Sequence, residues 1–480
     1  MQIIGQKEIR LLTIETMHRR RAGVGFANVF FIVCIVAFLS SVQISVAADW
    51  YLYASARGQN DGTSWSDAWT SPANIVQNKL QPGDTLWIQG GNYTTNLSFT
   101  DRHGITVRIA PNATQPAVFT FFHVYNCDGF TIDGLLKGFQ MIQFTRSEPS
   151  LGHAVNLRQS KPITVRGLLI DRGSEYAYDT VQQHGIRVWD NSGKVIIDSC
   201  IVKNTTGDGI NITQIDYSGA DNNDYEWILI SNCTIMNVGD DGIQAGSNHN
   251  ITVRDCHIDK NRFPTYFGGH PDGFQLNPDG YKVKIYNNTF RGFNQNVFIE
   301  YALNDIFIYN NIFIGISTIG TDRAINHSVR DNFSGTFLVA NNIMYNFLTF
   351  MACNGGFPRS TVIGNNIFVN CRLLTSKNGA FLDATNIYWD FPRVQYYDSN
   401  GNPVTSPSDR FAGNSRYCDP KFASLDTFKL DTSSPCIGAG KNLNSYFTYD
   451  RAGVIRGTIW DVGPYNSVGL SAPKNLRIIP

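Results

Sequence analysis

Five short segments repeat one pattern of polar and apolar positions: HGIRV (184–188), DGINI (208–212), DGIQA (241–245), DGFQL (272–276) and NVFIE (296–300). In the first four, Ile186/Val188, Ile210/Ile212, Ile243/Ala245 and Phe274/Leu276 alternate with Arg187, Asn211, Gln244 and Gln275. A period of two predicts strands with one face in a core and a row of hydrogen-bonding groups on the other. Steps of 24, 33, 31 and 24 residues between the copies make each one rung of a coil. Stacking then brings His184, Asp208, Asp241, Asp272 and Asn296 into one polar column, headed by His153. Asp240 stands beside it, and His270 lies two residues before Asp272.

A second repeat sets the coil length. Gly134, Gly167, Cys200, Cys233, Cys256, Asn288, Asn311, Asn342 and Asn366 recur, each followed by an apolar strand. Their shortest spacings are about one turn of a right-handed parallel β-helix, and the longer ones add loops at one corner. Nine rungs at about 4.8 Å each make a rod of about 40 Å. Stacked Asn side chains can bond along such a rod, and buried Cys can fill the same slot, so Cys200, Cys233 and Cys256 read as stacked thiols. Cys353 with Cys371, and Cys418 with Cys436, are near enough in sequence to pair; spacing leaves that open. Ser71 and Pro72 open a short helix, as N-cap and first helical residue, which would cover the exposed end of the first coil.

Composition agrees with an all-β chain. Only 16% of residues are charged, and the formal net charge is zero. With no basic stripe to neutralise phosphates, a nucleic-acid partner is not expected. Arg19-Arg20-Arg21, an apolar run from Val24 to Leu39, then Val46-Ala47-Ala48 have the order of a signal peptide. The expected organisation is a signal peptide over 1–48 cleaved after Ala48, a β-helix domain over 49–466, and a linker or the start of a further module over 467–480. The product is expected to be secreted or at the cell surface or periplasm, monomeric, and free of the membrane once the signal is removed.

YASARGQNDGTSW, LQPGDTLWIQGGNY, the Asn/Cys ladder, DPKFASLDTFKLDTSSPCIGAG and WDVGPY together resemble the secreted pectate-lyase-like superfamily of right-handed parallel β-helix proteins. The likeness spans nearly all of residues 50–466 and implies that fold. Family 9 pectate lyases, similar at PGDTLWIQGG, bind Ca2+ with an Asp on one coil and an Asp-Asp pair on the next. The resemblance places these at Asp208 and Asp240-Asp241, with Gln244 where a further ligand is expected. Those enzymes take the α-proton with a Lys, and no Lys falls on this column. In polygalacturonases, motifs resembling GDGI (207–210) and GDDGI (239–243) carry three catalytic Asp; their next motif has His where this chain has Asp272.

Carboxylates one rung apart repel, so they share protons or hold a cation. Either outcome is useful chemistry. The leading expectation is a lyase that cleaves an acidic polysaccharide by β-elimination, with Ca2+ at Asp208, Asp240 and Asp241. Asp208, Asp240, Asp241, His270 and Asp272 are its candidate catalytic groups, and His270 or His184 its base. His184, Arg187, Asn211, Gln244, Tyr266 and Gln275 are expected to bind substrate, in a groove flanked by Tyr217, Tyr225 and Tyr266. The alternatives are a metal-free hydrolase using the same aspartates, an epimerase sharing the proton abstraction, and a non-catalytic glycan-binding solenoid. Asp-Gly is also the commonest turn dipeptide, and a coil that corners at one place repeats it for geometry alone.

Overall fold

The computed structural model describes residues 47–467 except 146–151, 174–181, 217–223, 247–249, 261–270, 278–280, 316–321, 348, 355–359, 372, 377–381, 391–395, 398–402 and 405–415. Apart from two two-stranded antiparallel hairpins, its strands pair in parallel along three ladders of a parallel β-helix, in register except for shifts between Ile299 and Ile306 and between Thr349 and Met351. The first ladder stacks Leu97, Phe122, Val155, Ile186, Ile210, Ile243, Phe274, Val297, Ile325 and Met351. The second runs through Val107, Ile132, Val165, Ile197, Ile230, Val253, Ile285, Ile308, Val339 and Ile363. The third carries Ile170, Val202, Ile235, Ile258, Phe290, Phe313, Met344, Phe368 and Tyr388. These stacked side chains are the core, each at most 5% exposed.

Two consecutive positions make the corner between the second and third ladders. Ser199, Asn232, Asp255, Asn287, Asn310, Asn341 and Asn365 all take the left-handed conformation, with φ between 53° and 60°. Asn and Asp tolerate that region because their short polar side chains bond locally. The next residue is the ladder slot. Asn311 Oδ1 accepts the Asn288 N–H at 2.9 Å, and Asn311 Nδ2 donates to Ile285 O and to Asn342 Oδ1. The same pattern continues through Asn366 to Asn386, one rung past the sequence repeat. Cys200, Cys233 and Cys256 fill the slot as buried free thiols, and Cys418 and Cys436 are also free. The side chain of Cys353 lies outside the described residues.

Among the described residues the third ladder has 13 strands, against nine expected rungs. Coils before Gly134 and the last coil after Asn386 lack the marker residue that made the repeat visible, and Asn386 adds one rung beyond the nine. The capping helix is two single 3-10 turns, Pro72–Asn74 and Gln77–Lys79. Ser71 caps the first as expected. The second is tied sideways, because Gln77 bonds Ser98 O and the Thr100 N–H on the rung beneath. Those tertiary bonds, with Ile75 and Leu80 in the core, take the place of a continuing helix.

The C-terminal segment folds back along the coil. Arg451 donates to Asn288 O and Asn310 O, and Arg456 to Asn310 Oδ1. No helix among the described residues is long and apolar enough to cross a membrane.

Candidate active site

The column lies at the corner that leads into the first ladder. Register places His153, His184, Asp208, Asp241 and Asp272 two residues ahead of Val155, Ile186, Ile210, Ile243 and Phe274. Its next member is Gln295, which pairs with Asp272. Asn296, expected there, is displaced by one position because Val297 is the residue under Phe274.

Both halves of the repeated Asp-Gly have structural work. A Cβ on Gly242 would stand 2.5 Å from Gly273 O and from Ile258 Cγ2, so this corner excludes any larger residue. The aspartates bond up the stack: Asp208 Oδ1 accepts the Asp241 N–H at 3.1 Å, and Asp241 Oδ1 accepts the Asp272 N–H at 2.8 Å. His184 Nδ1 accepts the Asp208 N–H at 3.1 Å. Outside the column, Asn211 donates to Asp208 Oδ2 and Gln244 Oε1, both at 2.7 Å, and Gln244 donates to Gln275 Oε1 at 3.0 Å.

Asp208, Asp241 and Asp272 are at most 2% exposed, and Asp240 is partly exposed with Gln182 Nε2 donating to it at 2.9 Å. Burial, then the charges of Asp208, Asp272 and Asp240, push the Asp241 carboxyl well above the usual carboxylate range. At the head of the column, burial and then His184 and Arg187 pull His153 down to about 2. Its neutral ring stacks on His184 at 5.0 Å and holds Arg187 Nη1 at 2.9 Å.

Two groups near the column were not singled out from sequence. Lys260 is buried, and its ammonium donates to Val238 O at 2.9 Å. Burial lowers it to about 8, against the pull of Asp240 and Asp241. It lies past the third ladder, where no repeat points to the column. Arg323 falls on the column one rung after Gln295. RAINH (323–327) does echo DGFQL in its small second residue and its apolar third, and that was the available signal.

His270, Tyr266 and Tyr217 lie outside the described residues. Tyr225 does not flank the column: it packs on the second ladder, with its hydroxyl on Asp305 and Lys284 Nζ 3.8 Å from its ring centroid. Arg187 sits 5.0 Å from the Trp189 ring, so Arg187 on one side and Arg323 on the other bracket the acidic rungs with cations; Arg158, at the far end of its strand, lies 4.1 Å from the same ring and 3.8 Å from Asp190.

As arranged, the acidic residues do not fit a Ca2+ cage. Asp208 Oδ1 and Asp241 Oδ1 accept N–H groups of the next rung, and Asp208 Oδ2 accepts from Asn211 on its own rung, so these oxygens serve the coil rather than one common point. Among the described residues no group of three or more His, Cys, Asp or Glu could hold a metal ion.

Residues 84–333 match the family described as "Right handed beta helix region". No curated protein matches. Solved structures that align include the complex of XylC with xylose, at TM-score 0.48 and 11% identity over 88% of this chain and 98% of that one. Pectate lyase Pel9A aligns at 0.37 and 15% over 88% and 97%. An exopolygalacturonase from Thermotoga maritima aligns at 0.37 and 11% over 67% and 85%. Likenesses this distant fix neither activity nor substrate.

Proposed function

Because the chain belongs to the right-handed β-helix family, we propose that it is a secreted enzyme that hydrolyses an acidic polysaccharide, with Asp241 as proton donor. One contrast carries this reading. At the corner between the second and third ladders, uncharged Asn accepts the N–H of the neighbouring rung; at the site corner Asp performs the same bond on consecutive rungs. An Asn would serve the backbone without burying charge, so the geometry of the turn does not account for the aspartates. Burying like charges together costs stability and raises a pKa, which is how sites for proton transfer are made.

In this reading Asp241 gives its proton to the glycosidic oxygen as the C–O bond breaks. Asp240, at the more exposed edge, takes a proton from the water that bonds to the anomeric carbon. Asp208 and Asp272 keep the proton on Asp241 by their charge. Arg187 and Arg323 favour an anionic chain. None of these steps uses a metal ion, since the carboxylates as arranged do not form a cage for Ca2+.

Lys260 favours a second reading. A buried amine lowered to about 8 beside two carboxylates is suited to taking a C5 proton in β-elimination. Incubating the protein with pectin, polygalacturonate, alginate and glycosaminoglycans, with Ca2+ or with chelator, separates the two. Hydrolysis yields reducing ends without unsaturated product, indifferent to chelator. Unsaturated product that disappears in Lys260→Met supports elimination instead, and no cleavage of any substrate, with retained glycan binding, supports a binding solenoid.

A further inference from the structure

The first coil has a buried acid that the chemistry above does not use. Asp84, in PGD (82–84), is 2% exposed. Its Oδ1 accepts the Ala48 N–H at 2.8 Å, and its Oδ2 accepts from Trp50 Nε1 at 2.8 Å and the Gln81 N–H at 2.9 Å. Ala48 is tied from both sides, since its carbonyl accepts the Thr85 N–H at 2.9 Å. It extends the pairing of Asp49 with Thr85 by one residue. Ala47, by contrast, is exposed.

We infer that the signal peptide is removed between Ala47 and Ala48, one residue earlier than the expected cleavage after Ala48, and that the new α-ammonium of Ala48 sits on the Asp84 carboxylate. A signal peptidase adds water across the Ala47–Ala48 peptide bond, leaving a carboxylate on Ala47 and an ammonium on Ala48. Cleavage after Ala48 would take a residue out of the coil and strip Asp84 Oδ1 of its donor, leaving a buried charge short of one bond. Ser45-Val46-Ala47 also fits the small-residue rule better than Val46-Ala47-Ala48, whose first member is branched. With the bond cut at Ala47, an amide donor on Asp84 becomes a charged one, and such bonds are roughly twice as strong.

This inference rests on export through that peptide. The test is expression of the full chain in a secreting host, with N-terminal sequencing and intact mass of the exported product. A product beginning Ala48-Asp49-Trp50 is expected. One beginning at Asp49 overturns the position while leaving export intact, and an uncut chain overturns both. Ala47→Leu puts a large residue at the reading position of the proposed site and at a tolerant one for cleavage after Ala48. It is expected to abolish the product that begins at Ala48, any remaining cleavage moving to the bond after Ala48, and an unchanged Ala48 N-terminus overturns the assignment. The ion pair is read separately: chains beginning at Ala48 should melt several degrees above chains beginning at Asp49, and equal Tm values overturn it.

Discussion

Asp241→Asn separates the charge at the column from its shape. The amide oxygen can still accept the Asp272 N–H that Asp241 Oδ1 accepts at 2.8 Å, and the amide nitrogen can donate towards the neighbouring carboxylates. What disappears is the titrating proton. The folded chain holds that proton more tightly than the unfolded one, because Asp241 is raised by burial and by Asp208, Asp272 and Asp240. The stability this contributes is fully present below about pH 3.9, the ordinary Asp value, and is lost as pH rises through the raised folded value. The loss runs at about 1.4 kcal/mol per pH unit. Urea unfolding of both proteins from pH 4 to pH 8 should therefore show the variant gaining on the wild type by about that slope until the folded value is passed. Turnover should fall at least about 100-fold, the lower range for a lost general acid. Parallel stability curves would refute the protonated carboxyl; turnover within about threefold of wild type would refute its role as acid.

Lys260→Met should remove a stability gain that the wild type shows as pH rises from about 8 to the ordinary lysine range, because burial favours the neutral amine on folding; the same unfolding series, extended to pH 10, checks it. Asn311→Ala takes an acceptor from Asn288 and a donor from Ile285 O inside the coil, and should cost about 2–4 kcal/mol by urea midpoint at unchanged slope. Gly242→Ala meets backbone and core at 2.5 Å and should prevent folding or cost more than about 2 kcal/mol. Gly91→Ala, whose new Cβ meets nothing nearer than 3.8 Å, should leave Tm within a degree or two, and a similar loss in both variants would refute packing as the reason for the Asp-Gly repeat.

Most of the coil was legible in the chain. A strand period of two and a rung period of 23 to 33 residues are local and repeated, and in-register stacking turns any repeat into a column without further information. That is why the alignment of Asp208, Asp241 and Asp272, and of the row Arg187, Asn211, Gln244 and Gln275, follows from the repeat alone. The limits appear where register depends on tertiary contacts. Val297, rather than Phe298, takes the place under Phe274, which moves Gln295 into the column and Asn296 out of it. A one-residue slip is invisible in a motif yet reverses which side chains face the core. Tyr225 went to another face, and the capping helix became two 3-10 turns once Gln77 had partners on the rung below. Lys260 came near the acids from outside the repeat. Charge state belongs wholly to the fold: each Asp alone has an ordinary carboxyl, and only burial beside its copies one rung away raises Asp241. Repetition in the sequence determined which residues would meet; the dielectric and the spacing of the folded coil decided what they do on meeting.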